Sequence, residues 1–178
     1  RLQEQSLQTE KYQLSELFTN PLLMSEFTII LIGSDTTTGY GKTEFAKLLA
    51  CHWSKLMCEA LQLPASEATV VFTTTMESAK DVTFQSGWSW ILDGFEPSDG
   101  DHIQYASENM MKVLFAPVGA GNLRARNSNI NLPAGVGRII TTNAQSPQEW
   151  CGKRLTWSPP LRRKSILFQI TKPLVLPN

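Results

Sequence analysis

Lys42 and Thr43 close the segment Gly33-Ser-Asp-Thr-Thr-Thr-Gly39-Tyr-Gly41-Lys42-Thr43, the stretch of this chain best equipped for chemistry. Glycines let successive backbone N–H groups turn toward one anion, and the first turn of a following helix adds positive potential. Lys42 is then spaced to reach the outer phosphates of a nucleotide, and the Thr43 hydroxyl to hold Mg²⁺. The usual spacing of such a loop puts a glycine where Thr36 stands. Gly33 comes earlier, so the loop reads as enlarged. A plain strand-to-helix turn is the bland alternative for the same residues.

A phosphate loop that works on its nucleotide needs an acid at the end of a neighbouring strand. Asp93 ends the apolar run Trp88-Ser-Trp-Ile-Leu and fits that need, although an Asp after such a run often only caps a turn. A second acid, the usual catalytic base, is expected next, but Gly94 stands there. Glu96 can replace it only if the turn bends inward. Asn143 follows the run Arg138-Ile-Ile-Thr-Thr, where a side-chain amide can orient a water against a terminal phosphate. An Asx turn is the plain alternative there.

The elements that must hold these groups are legible from periodicity. Residues 27–32 read as a buried strand ended by Gly33, because they are short, β-branched and apolar throughout. Apolar positions Phe45, Leu48, Leu49, Trp53 and Leu56 recur at helical spacing and predict a helix over 42–61. Residues 2–18 read as a helix broken by Asn20-Pro21, with a short apolar turn after it. Further strands are expected at 68–75, 88–93, 138–142 and 165–170, and a helix at 103–115. Residues 118–135, rich in Gly and Asn, read as a hairpin or long loop. Strands alternating with helices imply an α/β fold, a parallel sheet flanked by helices.

Composition sets the outer limits. At 178 residues and 42% hydrophobic, the chain suits one packed domain, and its longest apolar run falls far short of a membrane span. It opens on Arg1 and reads as part of a longer protein. Cys51, Cys58 and Cys151 form no metal-spaced set, which suggests a reducing compartment. Cys51 and Cys58 are expected on one helix face as small core residues, and His52 and His102 in structural or surface roles. The net charge of zero hides a division. Residues 1–112 carry seven Lys or Arg and fifteen Asp or Glu, a balance of −8, and residues 113–178 carry nine and one, a balance of +8. Such polarity suits a polyanion bound by the basic half, contact between subunits, or mutual neutralisation inside one fold.

Taken in order, Gly-Tyr-Gly-Lys-Thr after a strand, Leu-Asp-Gly-Phe-Glu-Pro-Ser, Asn-Leu-Arg-Ala-Arg-Asn, Arg-Ile-Ile-Thr-Thr-Asn with Glu-Trp, and Leu-Arg-Arg-Lys resemble the superfamily 3 helicase domain of Rep proteins. These serve circular single-stranded DNA viruses and related plasmids. The similarity spans roughly residues 28–170. It implies a P-loop NTPase of AAA+-like layout, a three-layer sandwich with a mostly parallel central sheet, over residues 27–178. Residues 1–26 fall where the family has a helical oligomerisation segment. The implied activity is ATP-driven DNA unwinding by a homo-oligomeric ring, a hexamer, around single-stranded DNA, with ATP and Mg²⁺ and without a membrane.

Site residues follow from the same resemblance. Gly33, Gly39, Gly41, Lys42 and Thr43 would hold the nucleotide, and Thr43 and Asp93 the metal. Glu96 and Asn143 would act on the attacking water, and Arg162 or Arg163 would reach a neighbouring subunit's nucleotide. Arg124 and Arg126 would face DNA from a hairpin, with Arg138, Lys153, Arg154 and Lys164 adding phosphate contacts. A nickase domain commonly precedes this domain, and an intracellular setting is implied: the host nucleus for a eukaryotic virus, otherwise the cytoplasm. Three departures stand out: the longer loop, Gly94 in place of the second acid, and arginines where the hairpin usually has a lysine. They leave open a nucleotide-binding module that does not hydrolyse. The same residues also admit an RNA helicase of this superfamily, or an unrelated P-loop ATPase that acts on proteins.

Overall fold

Five successive residues that are apolar or β-branched suit a strand covered on both faces. In the computed structural model they form β1 (Thr28–Ile32), buried at every position. The structure describes residues 13, 15–20, 22–33, 39–96, 108–125, 128–146, 149–150 and 162–174.

Four more strands join β1: β2 (Val70–Thr73), β3 (Ser89–Leu92), β6 (Gly137–Thr141) and β7 (Ser165–Gln169). They form one sheet in the order β2-β3-β6-β1-β7, with every neighbouring pair parallel. The strand that leads into the glycine loop therefore lies between β6 and β7, and β6 separates it from the strand that leads into Asp93. Between β3 and β6 the chain makes a separate antiparallel ribbon, β4 (Gly121–Ala125) with β5 (Ser128–Leu132). Of the two readings for residues 118–135, the hairpin is the one observed.

Alternation along the strands divides the core into two layers. Ile29, Leu31, Ile91 and Ile139 face α1 (Glu16–Thr19), α2 (Leu22–Glu26) and the long α3 (Lys42–Ala60). Ile30, Ile32, Leu92 and Ile140 face α4 (Glu108–Leu114) and the inner side of the hairpin. The sheet is thus sandwiched between helices on one side and a helix with a β-ribbon on the other.

Two polar pins and one glycine fix α3 on the sheet. Buried Ser54 donates to the carbonyl of Gly87 (2.8 Å) and accepts from the N–H of Thr69 (3.0 Å), while Ser89 donates to the carbonyl of Ala50 (2.9 Å). Gly137 gives the Trp53 ring its place, since a Cβ there would lie 2.9 Å from the ring carbons.

Several details differ from the sequence expectation. Residues 22–26 form a short helix rather than a turn, because burial of Leu23 and Met24 beside β1 outweighs the break at Asn20. Of the helix expected over 2–18, residues 2–12 and 14 lie outside those described, and Glu16–Thr19 is helical. Cys58 is buried as expected, but Cys51 is exposed. Both share the α3 stripe on paper, yet only Cys58 reaches the core. Arg138 is the larger correction. It is not a surface phosphate contact but is 1% exposed within the sheet. Its Nη1 donates to the carbonyls of Val113 (2.6 Å) and Leu114 (3.2 Å) at the end of α4, where a cation also opposes the helix dipole. Burial pushes its pKa down to about 10.

Candidate functional site

Parallel strands place all their carboxyl ends along one edge of the sheet, where open α/β sheets hold their ligands. Residues following β1, β3 and β6 meet at this edge, and most of the expected site is among them.

Gly41 precedes α3 with φ +82°, and Gly39 has φ +83°. These left-handed turns let the chain reverse out of the loop directly into Lys42 and Thr43, the first two residues of a 19-residue helix. The turn is braced from outside, because the N–H of Leu174 donates to the carbonyl of Tyr40 (3.0 Å). At the other end of the loop, buried Gly33 donates its N–H to the carbonyl of Ala144 (3.2 Å). Residues 34–38, the enlarged part of the loop, lie outside those described.

The Thr43 hydroxyl donates to Asp93 Oδ1 at 2.7 Å, joining residues 50 apart in sequence. The hydroxyl of Thr141, at the end of the intervening β6, donates to the same oxygen at 2.6 Å. Thr141 also accepts from the N–H of Gly94 (3.0 Å). The side chain of Lys42 is buried beside this group. Desolvation lowers its pKa, and the negative charge of Asp93 works in the opposite direction. A cation drawn out of water next to an acid is well placed to receive a polyanion, whose charge would restore its proton affinity.

Gly94 has φ +68°, a left-handed conformation that bends the chain after Asp93 back toward the sheet. The bend inserts Phe95 into the core, 0% exposed, and there the indole of Trp150 donates to the Phe95 carbonyl (2.7 Å). The inward turn that Glu96 required is therefore present. Its Oε1 accepts from the hydroxyl of Thr142 and from the backbone N–H of Asn143 (3.1 Å). Glu96 thus lies beside Asn143 at the end of β6, and the exposed Asn143 completes this side of the edge.

Thr141 and Thr142 are the site residues that sequence reasoning misses. A signal for them exists: two hydroxyls at the end of a buried strand, immediately before Asn143, have no apolar partner to justify them. Each binds one of the two acids. The Glu-Trp that follows is also explained locally. Glu149 accepts from the N–H of Gln145 (2.6 Å) and donates its own N–H to Ser146 Oγ (3.1 Å), the second being the N-cap bond of a helix start.

Oxygen donors from one hydroxyl and one carboxylate suit a hard cation such as Mg²⁺. That ion is commonly held by one or two carboxylates together with substrate phosphates rather than by an all-protein cage. Among the described residues no group of three or more His, Cys, Asp or Glu is gathered for a metal, and Thr43 with Asp93 fits a metal shared with a phosphate. His52 is engaged elsewhere, bonding the carbonyl of Phe18 (2.9 Å), and His102 lies outside the described residues.

Arg162 and Arg163 lie elsewhere. They precede β7, and Lys164 accepts from the N–H of Thr28 at the very start of β1 (3.0 Å). That is the opposite edge of the sheet, a strand length of roughly 16 Å from the phosphate loop. Arg124 occupies a β4 position paired with Asn129, while Arg126, Lys153 and Arg154 lie outside the described residues.

No protein-family model matches the chain, and comparison with curated proteins finds no significant match. Among the described residues no helix is long and apolar enough to cross a membrane.

Proposed function

We propose that the chain is an ATP-driven motor acting on single-stranded DNA, a superfamily 3 helicase domain of the kind found in Rep proteins. The observation that carries this reading is the hydrogen bond from Thr43 to Asp93. It joins the first helical turn after a glycine loop to the acid after a neighbouring strand, the pairing that phosphoryl transfer from Mg-ATP uses. A strand-to-helix turn with only a structural role has no need of that acid.

In this reading the backbone N–H groups after Gly39 and Gly41 cradle the phosphates, and Lys42 neutralises the outer ones. Thr43 and Asp93 would hold Mg²⁺, which would supply neutralisation of the phosphate charge. Glu96 accepts the proton of the attacking water, and Asn143 orients that water. Arg162 or Arg163 acts on the nucleotide of an adjacent subunit in a ring, since the sheet separates it from the loop of its own chain. Arg124 and Arg126 hold the DNA strand.

A second reading, a nucleotide-gated module without hydrolysis, is favoured by Gly94 standing in place of the second acid. The bonds from Thr142 and Asn143 to Glu96 weigh against it, because they hold a carboxylate at the same sheet edge. The deciding experiment measures ATP hydrolysis with and without single-stranded DNA, using Lys42→Ala as the blank. Turnover stimulated by DNA and abolished in Lys42→Ala is expected. Nucleotide binding without turnover would leave the second reading standing, and absence of nucleotide binding would remove both.

A further inference from the structure

The hairpin has two unlike faces. Leu123, Ile130 and Leu132 turn into the core and are at most 1% exposed. The outer face carries Asn122 opposite Asn131, with Arg124 at the register position opposite Asn129. All three asparagines are exposed and line a hollow of about 590 Å³ between the ribbon and the chain segment 80–84. Phe84, Pro133 and Thr83 also line it.

Asparagine is depleted in strands, so three on one ribbon face carry a local cost with no packing return. Departures of that kind from local preference concentrate at functional positions. The volume lies within the range of small-molecule sites. Charge decides what kind of group fits. Lys80 at the rim is already bridged to Glu77 (3.0 Å), and Asp81 lies beside it, so the hollow offers no surplus positive charge to a phosphate. A lining that mixes apolar residues with three amides suits a flat, neutral ring carrying donors and acceptors on its edge. The Asn amide presents one donor and one acceptor side by side, the complement of the N6 and N7 edge of adenine.

We propose that this hollow receives a nucleobase of the bound single strand, adenine above the others, while the sugar-phosphate backbone passes outside along the ribbon. The proposal rests on the single-strand reading above and adds base preference to it. Unstacked bases of single strands are the usual targets of such edge contacts.

The test is fluorescence anisotropy with labelled oligo-dA and oligo-dT of equal length, on the wild-type chain and on Asn129→Ala/Asn131→Ala. Both sites are exposed, so melting temperature should stay unchanged. Wild type is expected to bind oligo-dA at least about fivefold tighter than oligo-dT, and the double variant to lose that difference. Asn131→Asp, which removes the donor and keeps the shape, should lose most of it too. Equal binding of the two oligonucleotides by wild type, or a preference that survives in the double variant, overturns the proposal while leaving the motor reading intact. Binding of neither oligonucleotide sinks the single-strand reading and this proposal with it. An adenine preference that appears only with free AMP as ligand overturns the strand as the source of the base.

Discussion

Glu96 accepts a hydrogen bond from the hydroxyl of Thr142, a contact between the bend after β3 and the end of β6. The segment after β3 thus brings two acids to this edge and the end of β6 two threonines, paired as Asp93 with Thr141 and Glu96 with Thr142. Two acids held apart by fixed donors suit a division of labour, one for the metal and one for the water. Glu96→Gln keeps the shape and removes the base. It should lower ATP turnover by about 10²- to 10⁴-fold with nucleotide binding retained. Single-turnover hydrolysis beside a binding titration separates the two, and a loss below about tenfold would rule Glu96 out as the base.

Gly94 is needed for its backbone rather than for space. A Cβ there meets nothing within 4 Å, yet φ is +68°, where a β-branched residue is strained by about 1–2 kcal/mol or more. Gly94→Val should therefore swing Glu96 away from Thr142 and reduce turnover nearly as much as Glu96→Gln. Gly94→Asn, which tolerates the left-handed region, should retain most activity. Equal turnover in wild type and both variants would detach the bend from catalysis.

Nucleotide binding should raise the melting temperature, and Mg²⁺ should enlarge the rise. At a nucleotide concentration one hundred times its Kd, the stabilisation is about 2.7 kcal/mol. Lys42→Ala should abolish the rise. Thr43→Val should keep the part seen with EDTA and lose the part that needs Mg²⁺, because the hydroxyl on Asp93 serves the metal rather than the phosphates. A Thr43→Val chain with an undiminished Mg²⁺ response would remove Thr43 from the metal site.

The sheet and its order of elements were largely legible because strand burial writes itself as uninterrupted apolar runs such as residues 28–32. The positions of Lys42, Thr43 and Asp93 at the ends of β1 and β3 were legible because each follows an apolar run or a glycine turn close by in the sequence. Contacts that depend on pairing between distant strands were not. Nothing near Glu96 in the sequence announces that the turn at Gly94 bends inward, and nothing near Arg138 announces that β6 lies in the middle of the sheet. An arginine in a basic half reads as surface until its neighbours β1 and β3 are known. Gly137 is similar, since only the packed Trp53 ring explains why no side chain fits there.

Arg138 is charged and buried, and among the described residues its Nε and Nη2 have no hydrogen-bond partner. Replacing a buried ion pair by apolar side chains of similar volume is commonly neutral or stabilising, by up to about 4 kcal/mol, and among the described residues Arg138 has no acid whose attraction would be lost. Arg138→Met gives up the bonds to Val113 and Leu114, although the Thr28 hydroxyl still reaches the Leu114 carbonyl (3.1 Å). Its melting temperature should equal or exceed that of wild type. A fall of more than about 4 °C, roughly 1 kcal/mol at this size, would mean the guanidinium stabilises the fold through its bonds to α4.

Arg162 and Arg163 sit at the sheet edge opposite the loop, so their part in turnover must come from another chain if they have one. A chain with both changed to Ala keeps an intact loop, and a Lys42→Ala chain keeps intact arginines. Each alone should be inactive in ATP hydrolysis. In a mixture, some subunit contacts pair an intact Lys42 with intact arginines from the neighbour, so activity should reappear and depend on the mixing ratio. Restoration requires exchange of subunits, which mixing before assembly and mixing after assembly distinguish. If mixed assemblies form, by co-purification of differently tagged chains, and stay inactive at every ratio, the arginines do not act across subunits. Activity in the arginine variant alone would take both residues out of turnover altogether.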